Sequence, residues 1–119
     1  MNEELSNIHQ YFNKAEYINK TAQQIIKDFG FERIEITFSG NPYAAYEELF
    51  NQIEPNITKL LQDDYRKFMS ILYRIDLSET QINKALRDNT SESVGGVITD
   101  LIIKRELQKI VIRNFYSKK

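Results

Sequence analysis

Only four glycines and two prolines interrupt this chain of 119 residues, so its secondary-structure elements must be long. Between those interruptions the apolar residues fall mostly at steps of three and four. From Ile8 onward, Ile8, Ala15, Ile18, Ala22, Ile25 and Phe29 line one stripe of a helix. Gly30 follows directly and suits a left-handed turn that ends it. Asn2, Asn7 and Asn13 are poor helix formers, so the first turns are expected to fray.

After Gly30 the period changes to two. Ile34, Ile36 and Phe38 alternate with Glu35 and Thr37, which is strand spacing. Ser39-Gly40-Asn41-Pro42 ends that segment, and Asn41-Pro42 reads as a helix cap followed by proline at the first helical position. A second stripe then runs from Tyr46 through Leu49, Ile53, Ile57 and Leu60 to Ile71 and Ile75. It stays in phase across Pro55. Proline removes a backbone donor and disfavours helix at the residue before it. The expectation is two helices, about 43–53 and 55–75, meeting at a kink and facing one core. Ser78 and Gln81 have capping-box spacing, bracketed by Leu77 and Ile82 at staple spacing, and predict a short helix over 79–88. Residues 88–93 read as a loop.

The last predicted helix runs from Val94 to about Tyr116 and is apolar on two sides. Val94, Val97, Ile98 and Leu101 share one, and Ile103, Leu107 and Ile110 lie roughly opposite. Such a helix is buried on two sides: it is central to the bundle, or its second face meets another subunit. The β-branched run Ile110-Val111-Ile112 offers a rival reading of 109–115 as a strand. The helix formers at 104–109 favour helix. The segment near residues 33–38 leaves three alternatives, because a lone strand cannot satisfy its own backbone. It pairs with its symmetry mate across a dimer, pairs with the C-terminus, or is an extended connector. The fold class expected is all-α: an irregular bundle of about five helices with that one short extended segment, in a single domain over 1–119.

Composition narrows the chemistry. Hydrophobic residues make up 41% and charged residues 28%, which is the balance of a globular domain able to bury a core. With no cysteine, disulfides, thiolate metal sites and a cysteine nucleophile are excluded. The opening Met1-Asn2-Glu3-Glu4 is acidic and unlike a secretory leader. Apolar runs such as Leu101-Ile102-Ile103 fall far short of the ~20 residues of a membrane span. The expectation is a cytoplasmic protein without membrane partners. Net charge is −1, but residues 1–100 hold 10 basic and 16 acidic groups, a net of −6, whereas 101–119 hold 6 basic and 1 acidic, a net of +5. A polyanion would go to the C-terminal end.

Few residues invite catalysis. His9 is the single histidine and has no evident partner. Asp63 and Asp64 are adjacent on a helix, point about 100° apart and do not converge, with Glu54 nine residues before. No Glu-x-x-His motif accompanies them, so no metal site is expected. Val94-Gly95-Gly96-Val97 lacks the lysine and spacing of a phosphate loop, and its glycines suit close packing or a loose helix start. Ser39-Gly40-Asn41 lacks a hydrolase elbow. No cofactor is expected. Two clusters stand out as a candidate interaction surface. Tyr73, Arg74 and Asp76 close the long helix just before the Ser78 cap, where Arg74 and Asp76 can grip each other, a neighbouring helix or a partner. Arg105, Lys109 and Arg113 recur every four residues as a basic ridge beside Phe115 and Tyr116, joined by Lys118 and Lys119.

Over Leu72-Tyr73-Arg74-Ile75-Asp76-Leu77-Ser78-Glu79 and Ile102-Ile103-Lys104-Arg105-Glu106-Leu107-Gln108-Lys109 the chain resembles a group of small bacterial proteins of unknown function, a likeness spanning about 43–116. The resemblance implies a bacterial cytoplasmic protein and no particular activity. The function expected is a non-enzymatic protein–protein interaction or regulatory module that self-associates as a homodimer. The alternative is a nucleic-acid-binding accessory protein that uses the basic C-terminal helix.

Overall fold

The computed structural model describes residues 14–117. The expected helical turns at 8–13, His9, Lys118 and Lys119 lie outside the described residues. Within them the protein is an all-α bundle of five helices: α1 (Ala15–Gly30), α2 (Ala45–Asp63), α3 (Tyr65–Ile75), α4 (Glu79–Asp88) and α5 (Val94–Ser117).

The α5 helix is the axis of the bundle and packs against each of the other four. Its two apolar sides are consumed at successive levels along its length. Ile98, Ile102 and Ile103 enter the main core with Ile25 and Phe29 of α1, Ile53 and Ile57 of α2, and Ile71 and Leu72 of α3. Lower down, Leu107, Ile110 and Val111 close over Tyr17 at the start of α1. The two-sided pattern therefore has an intramolecular answer, and 109–115 is helix. Each fully buried Ile, Leu or Phe is worth about 1.5–3 kcal/mol, so this central helix carries much of the stability.

The long second stripe breaks at a different place from the one its proline suggests. Helix α2 runs through Pro55 and stops at Asp63. Pro55 and Asn51 are both on the exposed side, so water can take the carbonyl that proline leaves unbonded. The break falls instead at Asp64, whose extended backbone (φ −153°) starts α3 and whose carboxylate accepts from the Lys67 amide at 3.1 Å. Helix α4 matches its signature: Ser78 and Gln81 form a reciprocal capping box, and Leu77 and Ile82 are both buried beside it.

Two helix ends close in the same way, with a non-glycine residue in the left-handed region. After α1, Arg33 has φ 63°, its amide bonds to the Gly30 carbonyl, and the Ile34 amide bonds to Phe29. After α3, Asp76 has φ 68°, its amide bonds to Tyr73, and the Leu77 amide bonds to Leu72. Both are Schellman closures. The left-handed residue expected at Gly30 thus falls three positions later. Asn41 and Pro42 form a turn ahead of α2 rather than its cap: the Asn41 side chain accepts from the Tyr43 amide, and the helix begins at Ala45.

Residues 34–39 are an extended connector. Ile34 and Ile36 are buried, while Glu35 and Thr37 are exposed. The backbone is satisfied on one side by side chains of α2. The Gln52 amide accepts from the Thr37 N–H at 2.9 Å and donates to the Thr37 carbonyl at 2.8 Å. The Glu48 carboxylate accepts from the Ser39 N–H at 2.6 Å. Four residues of helix rise about 6.0 Å and two residues of strand about 6.6 Å, so Glu48 and Gln52 match the spacing of residues 39 and 37.

Candidate functional site

A broad concavity lies between α2, α4 and α5, with a volume near 830 Å³. Its floor is apolar: Phe50, Ala85, Val97 and Leu101. Its rim is polar, and one corner is a small network. Tyr46 stacks on Phe50 with ring centroids 5.8 Å apart, and its hydroxyl donates to the Asp100 carboxylate. Asp100 also meets Lys104 at 2.8 Å. Burial of the Tyr46 phenol, and then the acceptor Asp100, hold its pKa well above the usual tyrosine range, so it stays a hydrogen-bond donor. At the far rim Lys84 and Asp88 pair at 2.9 Å. Glu92, on the same rim, has no ion pair among the described residues.

The glycine pair at the start of α5 shapes this groove. A Cβ on Gly95 would run into the Thr58 hydroxyl and come within 2.8 Å of the Glu54 carboxylate of α2. Gly95 therefore lets α5 approach α2 closely, while Ser93 caps α5 by accepting from the Gly96 amide at 3.1 Å. The close approach at Gly95 is a packing role.

The two sequence-derived clusters are turned mostly onto the protein itself. Arg74 lies over the Phe31 ring at 4.0 Å and reaches Glu32 at 3.9 Å, while Tyr73 is 89% exposed. Asp76 does not meet Arg74. It pairs with Arg105, whose Nη2 lies 2.9 Å from its carboxylate and whose Nε donates to its carbonyl at 3.2 Å. Arg105 thereby clamps the α3–α4 corner to α5. Lys109 lies against Glu106 at 2.8 Å and Asp28 at 3.5 Å. Among the described ridge residues Arg105, Lys109 and Arg113, only Arg113 is exposed, and it lines a second groove of about 510 Å³ with Lys20 and Lys27 of α1. Asp63, Asp64 and Glu54 do not converge: Asp64 caps α3, and Glu54 accepts from Thr58 at 2.6 Å. Among the described residues no group of three or more His, Asp or Glu is placed to hold a metal ion, and no helix is long and apolar enough to cross a membrane.

Sequence reasoning missed the buried acid pair under Lys109. Glu106 is 0% exposed and Asp28 4%. Burial is the largest cause raising the Glu106 pKa, followed by its hydrogen bond with Asp28. Lys109 opposes both, and the outcome is about 8 against an ordinary 4.5. Protonated Glu106 closes the hydrogen-bond account. One oxygen takes the Lys109 ammonium, and the other, otherwise without a partner, supplies the proton that the Asp28 bond requires. Glu106 in the middle of an apolar helix was the available signal, since a charged residue is almost never fully buried unless paired.

Searches against protein-family models, curated proteins and solved structures return no match.

Proposed function

We propose that the protein is a non-enzymatic interaction module that acts as a homodimer and receives a segment of a partner protein in the groove between α2, α4 and α5. The carrying observation is the groove's construction, an apolar floor inside a polar rim, with side chains that pair with one another rather than converge on a reacting centre. The chemistry that fits is an amphipathic helix with apolar anchors toward Phe50 and Leu101 and a basic residue toward Glu92. A cytoplasmic setting and a bacterial source go with this reading, on the grounds of composition and resemblance given above.

The test uses two substitutions at the groove wall, Ala85→Arg and Glu92→Lys. A partner captured from native cells by the unaltered chain should be lost with Ala85→Arg and weakened with Glu92→Lys. Equal capture by all three chains refutes the groove.

A second reading, nucleic-acid binding, is favoured by one observation. The groove between α1 and α5 is lined by Lys20, Lys27 and Arg113, with no acidic residue in its described lining. It moves the contact away from Arg105 and Lys109, which are engaged with acids. Salt-sensitive binding abolished by Lys27→Glu with Arg113→Glu would support it. No mobility shift with DNA or RNA at about 50 mM salt disposes of it.

A further inference from the structure

Successive backbone groups of an extended chain point to opposite sides. In the 34–39 connector the groups of Thr37 and Ser39 face α2 and are taken by Gln52 and Glu48. Those of Ile36 and Phe38 face the other way, and no hydrogen bond engages them among the described residues. The Ile34 amide is spent on the Phe29 carbonyl at 3.0 Å, while the Ile34 carbonyl remains. An open concavity of about 430 Å³ runs along this stretch, with Ile26 and Gly30 of α1 at its side. The segment is half of a ladder, bonded along one edge and unbonded along the other.

We infer that the open edge pairs antiparallel with the same segment of a second copy, with the two-fold axis at Ile36. This rests on the homodimer half of the reading above and supplies its surface. Three axes engage two or more of these outward-facing residues, at Glu35, Ile36 and Thr37. An axis at Glu35 leaves only the Ile36 amides to bond across, to the Ile34 carbonyls, and sets Glu35 against its own copy in the close pair. An axis at Thr37 sets Glu35 against the partner's Ser39, beside the Glu48 carboxylate that grips it at 2.6 Å. Like charges directly opposite are destabilising. An axis at Ile36 avoids both. It pairs Ile36 with Ile36 and Ile34 with Phe38, and four donors find acceptors: both Ile36 amides and both Phe38 amides. It sets Glu35 against Thr37, and brings the exposed Arg33 toward Ser39 and the Glu48 carboxylate of the other copy. Charge thus selects the register.

The chain has no cysteine, so engineered thiols report the register directly. Glu35 and Thr37 are both exposed, which makes Glu35→Cys and Thr37→Cys mild changes. In the inferred pairing residue 35 faces residue 37 in a close, non-hydrogen-bonded pair, at a separation a disulfide can span. The unaltered chain should sediment at twice 14.1 kDa at micromolar concentration. Under mild oxidation each single variant alone should remain uncross-linked. A one-to-one mixture of the two should form a disulfide-linked dimer that reductant dissolves. Cross-linking of Glu35→Cys alone or Thr37→Cys alone overturns the Ile36 axis. A dimer by sedimentation without any cross-link overturns this surface and leaves self-association standing. A monomer at all concentrations overturns both.

Discussion

Replacing Glu106 with glutamine should change the pH dependence of stability far more than stability itself. In the unfolded chain Glu106 titrates near 4.5, and in the folded protein near 8. A carboxyl whose folded value is raised holds its proton more tightly when folded. Its contribution is fully present below about 4.5 and is lost as pH rises through 8. The interval between the two values corresponds to about 5 kcal/mol, at 1.36 kcal/mol per pH unit. Glutamine has nearly the same shape, keeps a carbonyl acceptor for Lys109 and supplies N–H donors toward Asp28. It cannot ionise. At pH 5 the two proteins should therefore differ by no more than about 1 kcal/mol. At pH 9 Glu106→Gln should be the more stable by several kcal/mol, equivalent to a Tm higher by roughly 15 °C for a domain of this size. Urea unfolding at half-unit pH steps from 5 to 9 measures both curves. Parallel curves would refute the reasoning, because they would mean that Glu106 is already ionised beside Lys109 at neutral pH.

Three further outcomes follow from the packing. Gly95→Ala should destabilise by about 1–2 kcal/mol in denaturant unfolding, despite alanine's helix preference, because its Cβ meets Thr58 and Glu54. Thr58→Ala should remove most of that cost in a double-mutant cycle. Thr99 is 0% exposed and its hydroxyl has no partner among the described residues, so Thr99→Val should stabilise by about 1 kcal/mol, read as a higher urea midpoint. Gln52→Leu should cost about 1 kcal/mol and raise the exchange rate of the Thr37 amide in particular, as followed by hydrogen–deuterium exchange.

Helix positions were legible wherever local chemistry acts alone. The Ser78–Gln81 box and the Leu77–Ile82 staple place α4 to the residue, because capping is decided within one turn. The stripe from Leu49 to Ile75 was legible as a shared face, yet its break was misplaced. Proline's cost depends on whether the orphaned carbonyl reaches water, which is a tertiary fact at Asn51. The connector at 34–39 was legible as extended, but its partners were not. A strand read from sequence invites a search for another strand, and here the donors and acceptors are side chains of Gln52 and Glu48. The candidate surface was legible in residue type and less so in direction. Arg105 and Lys109 have the spacing of a solvated ridge, and two of the acids that hold them, Asp76 and Asp28, lie far away in sequence. The apolar groove was illegible because Phe50, Ala85 and Leu101 come from three separate helices.

The grip of α2 on the connector has a consequence for how the chain tolerates change. Because Gln52 holds the Thr37 main chain and Glu48 the Ser39 amide, with each hydroxyl adding one further bond, the helix works as a ruler laid along a ribbon. It measures length first and reads lettering only through those two hydroxyls. Replacement of Thr37 should cost only its hydroxyl bond to Gln52, whereas deleting one residue between Phe38 and Ala45 would have to be absorbed in the turn. Otherwise Ile34 and Ile36 would swap places with Glu35 and Thr37, putting acid in the core and oil on the outside.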